Sequence, residues 1–353
     1  MSLSRGLLMN ALPLGSLLHG VLACCLLAWA GSAAVAEDAV HLHPAPGQDK
    51  GTVVRGTIER YDREQLTIVT HNGEVSLPTD RIRKVETTWP EPYHEALRKI
   101  EQRKFAEALT AIDAALELEQ RTWAHEALVA RKCQILLQLN EVASAGVLFL
   151  RIVEENPNTR HLEAMPLAWT SNSPSFDRDR AARSWLSGET LQARLMGASW
   201  LLSSSDRNQA ITALRQLARA EDAQLALLAQ AQMWRTEVVT VDESGLRRWV
   251  TLVERGKLPG SANAGPWYVI GRAFLQQKRY DEAPLPLMRV PILYPGEAHL
   301  AAESLLLAAR SLERDGQTAE ARQLVREIMT EHSGSAASRE AEILMQQLNT
   351  GGN

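Results

Sequence analysis

The stretch from Trp267 to Pro295, WYVIGRAFLQQKRYDEAPLPLMRVPILYP, gives the clearest indication of the fold. Apolar residues recur in it at helical spacing, in two sets separated by the polar residues Gln276 to Arg279. The two sets are Trp267, Ile270, Gly271, Phe274 and then Tyr280, Ala283, Leu287, Val290. Pro295 ends the second set, because proline has no N–H to donate and its ring clashes with the preceding turn. The stretch therefore predicts two helices joined by a turn.

Together with Pro295, these positions are spaced as in a tetratricopeptide repeat, and the stretch resembles that family. The resemblance implies that Gly271 and Ala283 lie where the two helices cross most closely, since nothing larger than a β-carbon fits there. It also implies that Trp267, Phe274 and Leu287 fill the space around the crossing. Stacked units of this kind bury a continuous core between neighbours.

Three prolines depart from the family pattern. Pro284, Pro286 and Pro291 lie inside the predicted second helix, and each removes a backbone donor. An interior proline costs a helix about 3 kcal/mol. We therefore expect this helix to be kinked, shortened or partly replaced by extended chain.

Weaker versions of the pattern occur on both sides. The following unit has Gly316 at its turn, an earlier unit begins at Tyr93, and a further one has Cys133 where the family has glycine or alanine. The resemblance covers most of Tyr93 to Leu348 and is strongest at the C-terminal end. It implies a mainly α chain, an α-solenoid of antiparallel helix pairs.

The segment Gly51 to Thr87 differs from the rest of the chain. Its apolar residues alternate with polar ones, as they do in strands with one buried face. Asn72-Gly73 supplies the residues that a two-residue hairpin turn needs. This predicts a four-stranded β module that resembles small SH3-like or Sm-like barrels. Because its core is small, we expect it to pack on the helices that follow.

These patterns divide the chain into seven predicted segments. Residues 158–190 break the repeat, and Trp169 and Trp185 flank the loop-like part, so this segment is either a connection packed by two aromatic residues or an inserted binding loop. We favour the packed connection. The segments are 1–36 signal peptide, 37–50 linker, 51–88 β module, 89–157 N-terminal repeat-like helices, 158–190 irregular connection, 191–260 central helical hairpins, and 261–349 C-terminal repeats with a capping helix.

The N-terminal segment has the features of an export signal. Arg5 precedes an apolar stretch, and Ala34 and Ala36 provide the small residues that signal peptidase requires. We expect cleavage after Ala36 and a periplasmic or envelope-associated protein. Two alternatives remain open, namely retention as a membrane anchor and lipidation at Cys24.

Composition and motifs disfavour several functional classes. The net charge of -4 gives no basic excess, so nucleic acid is not an expected partner. The sequence has no glycine-rich phosphate loop, no Gly-x-Ser-x-Gly elbow and no Cys-x-x-Cys pair. Arg98 and Val129 stand where a zinc helix motif needs a second histidine after His94 and His125. We therefore predict a non-enzymatic protein without a cofactor or metal. An active site assembled from distant residues remains an alternative.

A solenoid offers the inner wall of its superhelix as a binding surface. The residues predicted to face that wall are Tyr268, Arg272 and Gln276 in one unit and Arg310 and Arg314 in the next. Guanidinium groups bind carboxylates in bidentate fashion, so an acidic peptide or a free C-terminus is the expected ligand. The alternative is that Glu303 and Glu313 neutralise these arginines on a solvated face.

The sequence thus predicts an exported scaffold that binds a protein or peptide. A membrane-tethered envelope-assembly factor is the close alternative, and only a retained N-terminal segment would bring the chain to a membrane. Partner identity, repeat number and oligomeric state do not follow from the sequence.

Overall fold

The computed structural model describes residues 37–44, 50–170, 175–256 and 258–350. The predicted signal peptide, most of the proline-containing part of the linker and Ser171 to Pro174 lie outside the described residues. The strands are β1 (Asp38–Leu42), β2 (Val53–Tyr61), β3 (Gln65–Thr70), β4 (Gly73–Pro78) and β5 (Ile82–Glu86).

Fourteen α-helices follow the strands in the described part of the chain, so the prediction of a mainly helical protein with a small N-terminal β module is confirmed. Their bounds are α1 (Glu91–Glu101), α2 (Phe105–Leu118), α3 (Thr122–Gln138), α4 (Val142–Glu155), α5 (Phe176–Leu186), α6 (Leu191–Leu201), α7 (Arg207–Leu217), α8 (Ala223–Trp234), α9 (Glu243–Arg255), α10 (Ala264–Gln276), α11 (Pro284–Leu293), α12 (Ala298–Arg314), α13 (Thr318–Glu331) and α14 (Ala336–Thr350).

The sheet is antiparallel, with the strand order β4-β3-β2-β1-β5. It has five strands rather than the four expected, because β1 lies within the segment predicted to be a linker. Val40 and Leu42 of β1 are buried in the core of the sheet. The Asp38 carboxylate accepts a hydrogen bond from the Ile58 N–H at 2.9 Å, which ties β1 to β2. The predicted hairpin joins β3 to β4, and Gly73 has φ 113°.

The β module packs on the helices. Trp123 and Ala124 of α3 share a core with the buried residues of the sheet. The Arg121 guanidinium donates to Glu119 at 2.7 Å and to Asp38 at 3.2 Å, which links the start of α3 to β1. At the other end of the module, Arg63 donates to Asp222 at 2.5 Å, at the start of α8. The module thus contacts both early and central helices.

One turn geometry recurs at four places in the helical part. Arg103, Asn140, Lys278 and Gly316 all have positive φ, of 57°, 61°, 60° and 83°, and each follows the first helix of a pair. In each turn the next residue donates its N–H to a carbonyl five residues earlier, as Lys104 does to Lys99 and Arg279 does to Phe274. This is the Schellman helix ending, in which the left-handed residue lets the last carbonyls find donors. The pairs α1–α2, α3–α4, α10–α11 and α12–α13 therefore share one connection.

Most of the contacts between helices follow their order along the chain. Consecutive helices contact each other, and the alternate helices α6, α8, α10, α12 and α14 also contact one another in turn. This nearest-neighbour packing is compatible with a repeat protein. None of the described helices is both long and apolar enough to cross a bilayer.

The α10–α11 pair contains the repeat-like stretch from Trp267 to Pro295. A β-carbon at Gly271 would lie 2.4 Å from Leu287 Cγ, so the two helices meet closely at this glycine. Helix α11 begins at Pro284, later than the sequence pattern predicted. Pro284 and Pro286 then fall in the first turn, where the N–H groups have no intrahelical acceptor. The helix is shortened at its start, and only Pro291 is an interior proline.

The segment predicted to be an irregular connection, residues 158–190, contains helix α5, and its two tryptophans lie before α5 (Trp169) and within it (Trp185). A β-carbon at Gly146 would lie 2.1 Å from the Trp185 ring, and one at Gly265 would lie 1.9 Å from the Trp169 ring. Each indole therefore occupies the space that a glycine leaves on a neighbouring helix. Both tryptophans serve packing in the described structure.

Candidate functional site

The predicted binding residues lie on two neighbouring helices. Tyr268, Arg272 and Gln276 are on α10, and Arg310 and Arg314 are on α12. Tyr268 is buried, Arg272 is half-buried and Gln276 is exposed. The Arg272 guanidinium lies over the Tyr268 ring, 5.7 Å from its centroid. This stacking orients the arginine while leaving its N–H groups free to donate.

Arg310 and Arg314 do not form one cationic group with Arg272. The Arg310 guanidinium pairs with Glu340 of α14 at 2.6 Å. The Arg314 guanidinium lies 5.6 Å from the centre of the Tyr280 ring and is exposed. The alternative prediction was that Glu303 and Glu313 neutralise these arginines, but the partner of Arg310 is Glu340. The capping helix that carries Glu340 was not included in the predicted wall.

Two other arginines accompany Arg272 instead. Arg235 follows α8 and donates to the Ser199 carbonyl at 2.9 Å and to Gln232 Oε1 at 2.6 Å. Arg207, at the start of α7, donates to the Leu202 carbonyl at 2.8 Å. Within the described residues, none of these three guanidinium groups forms a salt bridge with a carboxylate. We call Arg207, Arg235 and Arg272 the arginine cluster.

The protonation states of the site follow from burial. Burial, together with the positive charges of Arg272 and Arg207, lowers the pKa of Arg235 to about 10, although Tyr268 opposes the shift. Burial raises the pKa of Tyr268 to about 12, although Arg272 opposes that shift. At neutral pH Arg235 is therefore charged and the Tyr268 hydroxyl is neutral. The mutual repulsion of the arginines makes a bound anion favourable.

Acidic residues continue the same surface toward α14. Burial raises the pKa of Glu303, and the negative charge of Glu340 adds to the increase, while His299, Arg310 and Arg272 oppose it. The charges that act on Glu303 thus come both from the arginine cluster and from the Arg310–Glu340 pair. The surface has a cationic end at α7 to α10 and a mixed-charge end at α12 to α14.

Arg235 was missed because the central helices match the repeat pattern only diffusely. The sequence nevertheless carries a signal for it, since Arg235, Arg272 and Arg310 are 37 and 38 residues apart. Lys278 and Gly316, the left-handed turn residues, are also 38 residues apart. The arginines therefore recur with the period of the helix pairs. Arg207 lies outside this period, and no pattern in the sequence singles it out.

Two further observations concern metal-binding groups and the cysteine of the described residues. These residues contain no group of three or more His, Cys, Asp or Glu side chains arranged to hold a metal ion. Cys133 is buried in α3, and burial raises the pKa of its thiol to about 12, so the nucleophilic thiolate is not populated at neutral pH. No family of known proteins matches this chain, and no curated protein is significantly similar to it.

Proposed function

We propose that this chain is an exported, non-catalytic scaffold of the tetratricopeptide type, which binds an acidic segment or a C-terminal carboxylate of a partner protein. The observation that carries the proposal is the arginine cluster, in which the charges of Arg207 and Arg272 act on Arg235 and none of the three guanidinium groups has a carboxylate partner among the described residues. A peptide carboxylate would relieve their repulsion and accept two N–H groups at once. The Tyr268 ring stacks against the Arg272 guanidinium.

The repeat-like architecture supports the solenoid part of the proposal. Four helix pairs share one Schellman turn, and short turns of this kind join helices that run in opposite directions. The alternate helices that contact each other would then form the inner wall of a superhelix, where the end of α8 and the helices α10 and α12 would present Arg235, Arg272 and Arg310.

The β module would be an SH3-like barrel that covers the first helices. The position of β1 between β2 and β5 supports this, as does the short 3-10 helix Thr79–Arg81 before β5. Its packing on Trp123 suggests a role in capping the end of the helical array, which otherwise exposes apolar surface.

The start of the sheet is compatible with export. Cleavage after Ala36 would leave Asp38, whose carboxylate ties β1 to β2 and lies near Arg121, in place. A signal peptidase could therefore remove the preceding residues without breaking the sheet. The mass of the mature N-terminus tests this point, with a start at Glu37 expected for an exported, untethered protein. An intact N-terminus in a membrane fraction would favour the tethered assembly factor.

Site-directed photocrosslinking tests the binding surface. A photoreactive amino acid at Gln276, exposed one turn after Arg272, should crosslink to a discrete partner in cells that produce the protein. The same amino acid at Gln323, on the outer helix α13, is the matched control and should give no such product.

The charge of the cluster is tested in the same cells. Arg272→Glu should abolish the Gln276 crosslink, whereas Arg326→Glu on α13 should leave it unchanged. Circular dichroism must show that both variants remain folded. A Gln276 crosslink that survives Arg272→Glu, or the absence of any crosslink at Gln276, would refute the proposed binding mode.

A further inference from the structure

A cavity lies where the first helices meet the segment before α12. Its volume is about 270 Å³, and Phe105 of α2, Ile135 of α3 and Glu297 line it together with the short 3-10 helix Gly260–Asn263. Glu163, between α4 and α5, lines the side near that 3-10 helix. None of the residues of the arginine cluster lines this cavity, so a ligand bound in it would be independent of the proposed function.

Two carboxylates lie in this cavity with few donors. Glu297 accepts a hydrogen bond from the Ser261 hydroxyl at 2.7 Å. Burial raises the pKa of Glu297, and the nearby charge of Glu163 adds to the increase, while Ser261 and Arg131 oppose it. Arg131 also lines the cavity but donates to Gln134 Oε1 at 2.8 Å. The charge of Glu163 thus makes the ionisation of Glu297 less favourable, and a bound cation would relieve it.

Glu163 gives the stronger evidence that a donor is missing from the cavity. Its Oε1 lies 3.2 Å from His161 Nδ1. Burial opposes the ionisation of Glu163, but the hydrogen bond and charge of His161, a backbone hydrogen bond and the charge of Arg160 together leave the pKa of Glu163 lowered. The Oε2 atom of Glu163 is buried and has no hydrogen-bond partner. A buried carboxylate oxygen without a donor is costly, and native structures seldom keep one unless a ligand or water supplies the donor.

We propose that this cavity binds a primary alkylammonium group, with Glu163 Oε2 and the Glu297 carboxylate as its acceptors. An ammonium has three N–H donors and one positive charge, which matches the unpaired oxygen and the excess negative charge. The apolar wall of Phe105 and Ile135 suits the methylene groups that an alkylammonium carries. A metal ion suits the site less well, since the described residues hold no cluster of three metal-ligating side chains there.

The ammonium has two possible sources, a small free amine or a lysine side chain of another polypeptide. Calorimetric titration of the folded protein with 1,5-diaminopentane and with Nα-acetyl-lysine amide, whose side-chain amine is free, distinguishes them. The ligand efficiency typical of drug-sized molecules predicts a dissociation constant of about 1 mM for a probe of about a dozen non-hydrogen atoms, such as the lysine amide. N-acetyl-norleucine amide, which lacks the amine, is the matched control ligand and should not bind.

Substitutions of the two cavity carboxylates test whether the amine binds in the cavity. Glu163→Gln and Glu297→Gln keep the side-chain shape, and each should weaken amine binding about tenfold or more. Glu320→Gln, on the exposed face of α13, should leave it unchanged. Because Glu297 is at the start of α12, the thermal midpoint of each variant is measured without ligand to show that it is folded.

Each outcome of the titrations supports or overturns the site. Binding of either amine that is lost in the Glu163 and Glu297 variants supports it, and the amine that binds identifies the source. Equal binding of the norleucine control, or amine binding that survives both substitutions, would overturn the proposal. So would the absence of amine binding to the folded wild-type protein.

Discussion

At the scale of single residues, some glycines let two helices approach more closely than a β-carbon would allow. At Gly197 of α6 an added β-carbon would lie 2.3 Å from the Leu186 backbone nitrogen and 2.5 Å from the Ala182 carbonyl oxygen. At Gly271 of α10 the nearest atoms belong to the Leu287 side chain. Backbone atoms of a packed helix cannot move aside, whereas a leucine can change rotamer. The two glycines therefore differ in how much an added methyl group costs.

Alanine substitutions should rank accordingly. Gly197→Ala should lower the free energy of unfolding most, by about 3 kcal/mol, and Gly271→Ala by about 1 to 2 kcal/mol after the gain in helix propensity. Gly296→Ala is the control, since nothing lies within 4 Å of its added β-carbon, and its effect should stay within about 0.5 kcal/mol. Urea unfolding measures all three, and a loss at Gly271 equal to that at Gly197 would contradict the ranking.

At the scale of elements, the four Schellman turns show how similar local structure arises from different sequences. Three of the turns place Arg103, Asn140 and Lys278 in the left-handed region, and only the fourth uses glycine, at Gly316. A side chain in that region costs about 1–2 kcal/mol. The packing of each helix pair imposes the conformation despite this cost, so the turns are sites where glycine would be better tolerated.

Lys278→Gly should therefore raise the free energy of unfolding by about 0.5–1 kcal/mol, because the strain disappears and the greater freedom of the unfolded chain offsets only part of the gain. Lys278 is at least partly exposed, so little packing is lost. Gly316→Ala should lower stability by about 1 kcal/mol. Gln276→Gly, inside α10, is the matched control and should also lower it. If Lys278→Gly destabilised the protein as Gln276→Gly does, the turn would not be strained.

The elements also differ in how well the sequence predicts them. Helix α10 follows from spacing alone, because its apolar residues recur with helical period over a long stretch. Strand β1 does not, because five residues beside a proline-containing segment give too short a pattern, and its burial depends on pairing with β2 and β5. Likewise, Arg272 follows from helix geometry, whereas Arg207 joins the site only through the packing of α7. Tertiary contacts of this kind leave no local trace.

At the scale of the whole molecule, the first helices contact the last ones. The Arg103 guanidinium, in the turn between α1 and α2, lies 3.5 Å from His332 Nε2 at the end of α13. Nearby, the His299 N–H in the first turn of α12 donates to Gln138 Oε1 of α3 at 3.3 Å. The cavity with Glu163 and Glu297 lies in this region of contact. The polar interactions in this contact are few, and one of them includes the titratable side chain of His332.

That partner predicts a pH dependence. Burial, together with the charge of Arg103, lowers the pKa of His332 to about 4, although the Ala298 carbonyl opposes the shift by accepting a hydrogen bond from the imidazole ring. In the unfolded chain a histidine has a pKa of about 6.5. The unfolded state thus takes up the proton first as the pH falls, so this contribution to stability is complete above pH about 6.5 and is lost between about 6.5 and 4.

The wild-type protein should therefore lose on the order of 1–3 kcal/mol more stability between pH 7 and pH 4.5 than His332→Gln does. Urea unfolding at the two pH values measures the difference. His299→Gln, which removes an exposed histidine near the same contact, should behave like the wild type. Hydrogen exchange at pH 4.5 shows which part of the protein opens. Protonation of His332 beside Arg103 should make the amides of the α1–α2 turn and of the end of α13 exchange before those of the sheet. Equal losses in the wild type and His332→Gln would mean that the contact between the first and last helices does not respond to this histidine.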